Sequence, residues 1–185
     1  ETFTVSDDEY AAYVVDRTLR VSVFDSDGGL FETFRAAGSM DADVLPVIDG
    51  NRVYVINRYG NLFVYAVQSD GLKEISRFQT NTAPEAMKLS NGTLWILDTK
   101  SAALVVKVLL NEQGEPVSKE TVYKDWITPI DMAVSSDGET IVLADAIGGV
   151  KLLDKNGTVF RERATGIDNY AITEGYSRNV ELVGD

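Results

Sequence analysis

The chain has 185 residues, 44% apolar and 25% charged, which is the range of a folded globular domain with a core. It contains no cysteine and no histidine, which excludes disulfides, thiol chemistry and imidazole catalysis from its residues. A net charge of −12 repels a phosphate backbone, and no apolar run approaches the about 18 residues of a spanning helix. The expected partners therefore include neither nucleic acid nor a bilayer crossing. The first residue is Glu rather than Met, which reads as a chain processed, trimmed or excised from a longer one. The absence of cysteine fits either redox compartment, and the reading leans to a secreted or periplasmic location.

The chain repeats itself. Phe3–Arg35 aligns with Met132–Ala164 without a gap, at an offset of 129 residues. Eight positions are identical: Val5/Val134, Ser6/Ser135, Asp8/Asp137, Asp16/Asp145, Val21/Val150, Asp25/Asp154, Gly28/Gly157 and Phe31/Phe160. Repeats of about 40 residues with strand-like patterning indicate stacked supersecondary units.

In chain order, the first repeat (2–40) gives strands at Phe3–Ser6, Tyr13–Asp16 and Leu19–Phe24. The second (41–82) gives Val44–Ile48, Tyr54–Asn57 and Leu62–Val67. The third (83–127) gives Met87–Ser90, Trp95–Asp98, Leu104–Leu110 and a polar, alternating Val117–Lys124, with a longer third connection at Asn111–Pro116. The fourth (128–168) gives Met132–Ser135, Val142–Asp145 and Val150–Leu153. A fifth begins at Tyr170–Thr173 and Val180–Val183 and occupies 169–185. Val, Ile, Tyr, Phe, Trp and Thr dominate these runs, as strands require. The connections carry Asp-Gly and Asn-Gly pairs, which take positive φ cheaply and favour tight hairpins. The second strand of each repeat is apolar at nearly every residue, which predicts burial on both faces, whereas the fourth alternates and predicts one wet face. An antiparallel four-stranded unit graded from buried to solvated is a propeller blade. The expectation is an all-β propeller within one domain, 1–185, of about four full blades and the start of a fifth.

The fourth repeat carries a family resemblance. Its order is Pro129, an apolar strand, Asp137-Gly138, an apolar strand closed by Asp145, then Val150–Asp154 running into Asn156-Gly157. This resembles NHL and YVTN-type β-propeller repeats. The third repeat begins similarly at Pro84, and the second departs by closing its strand with Asn57. The resemblance implies a ring of six or seven blades of which this chain is a part, so that open blade edges favour self-association or a protein partner.

Two constellations are candidates for function. Strand-closing residues Asp16, Asn57, Asp98 and Asp145 recur every 41, 41 and 47 residues. Their side-chain oxygens suit a hard cation such as calcium, and gluconolactonase-like propellers resemble this plan with Glu, Asn and Asp around a central metal. The competing reading is that each side chain accepts N–H groups of its own turn, as its recurrence in every blade favours. The other constellation is Arg58, Tyr59, Lys100 and Trp126, cations and aromatics on the face that gathers the second-to-third strand connections. The opposite face gathers acidic turn residues, including Asp49, Asp137, Glu139 and Asp154, and suits a basic partner or divalent cations.

Two sequons, Asn91-Gly92-Thr93 and Asn156-Gly157-Thr158, are equally tight turns before a β-favouring Thr. The resulting expectation is a non-catalytic propeller that binds protein and needs no cofactor. A calcium-dependent gluconolactonase-like hydrolase is the alternative, and a carbohydrate-binding propeller the third reading. The last would need exposed aromatics recurring at one repeat position, and Tyr59 and Trp126 are not equivalent.

Overall fold

The computed structural model describes residues 2–5, 11–15, 20–25, 27–35, 44–68, 71–99, 103–125, 129–145 and 149–164. The fifth repeat lies outside them. Among the described residues, sixteen strands form four sheets, each ordered as in the chain and each antiparallel throughout its described pairings. Sheet one holds β1 (Thr2–Val5), β2 (Ala11–Val15), β3 (Arg20–Asp25) and β4 (Leu30–Arg35). Sheet two holds β5 (Val44–Asp49), β6 (Arg52–Asn57), β7 (Asn61–Gln68) and β8 (Gly71–Gln79). Sheet three holds β9 (Pro84–Ser90), β10 (Thr93–Asp98), β11 (Ala103–Leu110) and β12 (Pro116–Asp125). Sheet four holds β13 (Pro129–Val134), β14 (Thr140–Asp145), β15 (Gly149–Asp154) and β16 (Val159–Ala164). Among the described residues there is no helix.

The burial gradient follows the sequence. All six residues of β10 are buried, as are the four central residues of both β6 and β14. In β12 a run of five, Val117–Thr121, is exposed. The chain forms two compact units, Glu1–Ala83 with Glu112–Pro116, and Pro84–Asn111 with Val117–Asp185. In the first, β1 lies beside β5 and β4 beside β8. In the second, Trp95 and Leu97 share one face of β10 and, with Ala86 and Val105 opposite Leu97, pack on Met132, Ile141, Leu143 and Leu153 of sheet four. The Trp95 indole N–H in this core has no hydrogen-bond partner among the described residues.

The longer third connection of sheet three has a physical role. Residues 112–116 pack with the first unit, where the Tyr54 hydroxyl donates to the Gly114 carbonyl at 3.1 Å. Burial pushes the Tyr54 phenol up to about 12. Gly114 has φ +72, and a Cβ there would meet the Tyr54 hydroxyl at 2.7 Å and the Arg52 Cδ at 2.8 Å.

Three outermost strands carry a β-bulge at one repeat position. The register slips between Val23 and Phe24 against β4, between Val64 and Tyr65 against β8, and between Leu152 and Leu153 against β16. These sites stand at the same 41- and 129-residue offsets as the repeats. The unpaired extra residues are Phe31, Ile75 and Phe160. A bulge sharpens the local twist and re-aims the strand.

Gly28 and Gly157 are a repeat-identical pair in the third-to-fourth strand turns, with φ +78 and +83. A Cβ on Gly28 meets nothing within 4 Å, whereas one on Gly157 would lie 1.8 Å from the Val122 carbonyl oxygen. Gly28→Ala should therefore cost only the conformational penalty, about 1–2 kcal/mol. Gly157→Ala should cost clearly more, because backbone must move as well. Urea denaturation of the two variants checks the order, and equal costs would contradict the close approach.

Candidate binding surface

The turn between β6 and β7 is fixed by its first residue. Asn57 Oδ1 accepts the Tyr59 and Asn61 backbone N–H groups at 3.0 Å each and the Asn61 side-chain amide at 3.3 Å. Gly60 N–H donates to the Asn57 carbonyl at 2.9 Å. Gly60 has φ +76, and a Cβ would lie 2.6 Å from both the N and the O of Thr82. The Gly60 carbonyl accepts from the Thr80 N–H and hydroxyl, each at 2.8 Å, and the Thr80 and Thr82 hydroxyls meet at 2.7 Å. Both threonines are buried, and Asn81 between them is exposed with φ +57. Turn and following segment are thus locked together by buried polar bonds.

Arg58 and Tyr59 stand at the tip of this locked turn. The Arg58 guanidinium lies 4.8 Å from the Tyr59 ring centroid, and its Nη2 donates to the Tyr59 hydroxyl at 2.6 Å. Tyr59 is 53% exposed. The pairing holds both long side chains in one arrangement before any contact is made, which lowers the ordering cost of binding.

Of the other expected contact residues, Lys100 and Trp126 lie outside the described residues, and so does Asp16 of the strand-closing series. Asn57 is committed to its own turn, as the structural reading of that series requires. Asp98 is buried at the end of β10 and Asp145 half-buried at the end of β14, and each already engages in polar interactions. Among the described residues, no three acidic side chains gather closely enough to hold a metal ion.

One cluster escapes a reading by motifs. Lys151 Nζ donates to Asp125 Oδ2 at 2.5 Å, and the Tyr123 hydroxyl donates to the same oxygen at 2.8 Å. Burial first, then the bond to Asp125, raises the Tyr123 phenol. A cation at an inward position of β15, two residues before the buried Leu153, was the available signal. The pair joins the outermost strand of sheet three to the third strand of sheet four.

The acidic turn residues of sheet four serve their own backbone. Asp137 Oδ1 accepts the Ser135 hydroxyl at 2.5 Å and the Glu139 N–H at 2.9 Å. Asp154 Oδ1 accepts the Thr158 N–H at 2.8 Å and the Asn156 N–H at 2.9 Å. The Ser135 bond chiefly holds the Asp137 carboxyl below its ordinary value, and the Thr158 N–H chiefly holds that of Asp154 below it. Lys155 Nζ reaches Glu139 Oε1 at 2.8 Å.

No family model matches the chain, and no curated protein matches it. Solved structures do. A 6-phosphogluconolactonase candidate from Bacteroides fragilis matches with TM-score 0.61 at 16% identity, over 89% of this chain and 54% of its own. A second such candidate, from Bacteroides uniformis, matches with TM-score 0.63 at 14% identity, over 88% of this chain and 54% of its own. The β-propeller domain of Cps50 (Swd1) from Myceliophteria thermophila matches with TM-score 0.58 at 8% identity, over 88% and 54%. These likenesses show the fold alone: the chain is an all-β protein of propeller type, and its four sheets are blades. It spans about half the length of the solved structures it matches.

Two outcomes follow from this geometry. Asn57→Ala strips the acceptor from two backbone N–H groups and should lower stability by about 1–3 kcal/mol, whereas Asn57→Asp, which keeps the acceptor, should lose far less. Chemical denaturation separates them. For Asp137 and Asp154 the folded carboxyl titrates below its ordinary 3.8. Their contribution is therefore fully present above that value and is lost as pH falls through the lower folded value. Asp154→Asn should flatten this acid limb in a thermal-midpoint titration.

Proposed function

We propose that the chain is a non-catalytic part of a β-propeller that binds another protein, with Arg58 and Tyr59 as contact residues. The observation that carries this reading is an exposed aromatic and a stacked cation held on a turn that is rigid from below. Tyr and Arg are the residue types that dominate binding energy at protein interfaces. Lys100 and Trp126 belong to the same proposal through their position in the repeat. The order of Pro, apolar strand, Asp-Gly and Asp-closed strand supports repeats of the NHL/YVTN type. The half-length match to solved propellers supports a larger ring to which these blades contribute.

A photo-crosslinking amino acid in place of exposed Gln79, which pairs with Asn61 beside the turn, tests the surface. A discrete protein adduct should form in source cells and disappear in the Arg58→Ala, Tyr59→Ala double variant at unchanged thermal midpoint. An adduct that survives the double variant would remove the turn from the contact.

The names of two fold neighbours favour a second reading, lactone hydrolysis; calcium held by Asp98 and Asp145 among its ligands belongs to that reading through the strand-closing series alone. Its marks would be acid release from gluconolactone above the spontaneous rate, and a thermal midpoint that rises with calcium by mass action. On the non-catalytic reading neither occurs.

A further inference from the structure

Two tight turns hold the same three residues, Asn-Gly-Thr, at 91–93 and at 156–158. An asparagine before a glycine is open to attack on its own side chain, because a glycine backbone rotates and approaches freely. The glycine N–H must give up its proton, and the backbone must turn it toward the asparagine Cγ. At Asn156 the fold opposes both. The Gly157 N–H donates to the Asp154 carbonyl at 2.9 Å. The Asn156 and Thr158 N–H groups on either side are held by Asp154 Oδ1 at 2.9 and 2.8 Å. Gly157 is also wedged, since a Cβ there would lie 1.8 Å from the Val122 carbonyl oxygen. At Asn91 the backbone is looser. Among the described residues the Gly92 N–H makes no turn bond like that of Gly157, and a Cβ on Gly92 meets nothing within 4 Å. Both Asn91 and Gly92 are exposed. The hold on this asparagine is on its side chain, whose Nδ2 donates to the Asp137 carbonyl at 3.1 Å in an exposed contact.

We propose that Asn91 is the site at which the folded chain converts spontaneously to aspartyl and isoaspartyl forms, and that the conversion loosens the seam between sheets three and four. The Gly92 nitrogen loses its proton and bonds to Asn91 Cγ. The bond from Cγ to the side-chain nitrogen breaks, and that nitrogen takes up a proton and leaves as ammonia. Water then opens the cyclic imide at either carbonyl. One opening restores the peptide bond beside an aspartate side chain. The other leaves the main chain running through Cβ and Cγ. No oxidant or reductant takes part. Either product replaces an amide donor with a carboxylate, so the Asp137 carbonyl loses its donor and faces negative charge instead. Asn91 is one tie of a short seam. The Ser90 hydroxyl beside it is shared between the Ser135 and Ser136 carbonyls at 2.5 and 3.0 Å, and a Cβ on Gly138 would lie 3.5 Å from the Asn91 Cβ. The isoaspartyl form also adds a methylene to a turn that Ser90 and Thr93 close by pairing across it.

The test is peptide mapping of the full chain after incubation in mildly alkaline buffer, folded and in guanidinium chloride, with amide-to-acid conversion read by mass at each asparagine. In the folded chain Asn91 should convert about tenfold faster than Asn156, which reacts only from a locally opened turn. In denaturant the two rates should converge, because the reacting residues are the same. Asp154→Ala, which removes the acceptor of two N–H groups, should speed conversion at Asn156 and leave Asn91 unchanged. Asn91→Asp should lower the thermal midpoint, and Asn156→Asp clearly less. Equal rates at the two sites in the folded chain, or a faster one at Asn156, would overturn the assignment of the site. So would an Asn91 that stays intact when folded while it converts in denaturant. An unchanged thermal midpoint in Asn91→Asp would overturn the loosening of the seam.

Discussion

The constraint on which the rest of the structure depends is that the second strand of each described sheet core is apolar on both faces. β6, β10 and β14 cannot be left with a wet side, so each must be flanked by sequence neighbours along its edges and covered above and below. Pairing within the sheet satisfies the backbone, and face-to-face packing removes the side chains from water. The cluster of Trp95, Leu97, Met132, Ile141 and Leu143 is that packing seen in one place. Once these strands are fixed, polarity can only rise outward, and the fourth strands become the solvated edge.

Tight connections follow from the same demand. Strands stacked this closely leave little room for wandering turns, and the turns are held by side-chain oxygens that accept backbone N–H groups. Asn57, Asp137 and Asp154 do this at three different connections. The arrangement explains why Asp and Asn recur at the ends of strands and accounts for part of the acidic charge without invoking a ligand. It also explains why Arg58 and Tyr59 can be displayed: a turn held from below by the Asn57 and Gly60 bonds presents long side chains above.

The repeat itself and the all-β class were legible because periodicity in strand length and turn chemistry survives in one dimension. Arg58 and Tyr59 were legible as neighbours at the turn after the second strand of their repeat. Three features were not. The Lys151–Asp125–Tyr123 cluster joins residues up to 28 positions apart whose meeting depends on how sheet three faces sheet four. The role of 112–116 depends on where a loop lands, and the sequence showed only that the loop was long. The bulges depend on register, which alternation alone does not mark when one residue is inserted.

What the sequence by itself determined is local and periodic: strand identity, the antiparallel order, the doubly buried second strand and the turn residues able to take positive φ. These are set by the side chain's own shape and by its nearest neighbours along the chain. What only the tertiary structure decided is which side chains remain in water. Phe160 and Ile75 stand at the inserted positions of outermost strands, and both side chains are exposed there. Asn57 reads as a possible ligand, yet three donors of its own turn occupy its oxygen. Exposure and hydrogen-bond commitment are properties of surroundings, and surroundings exist only once the sheets have packed.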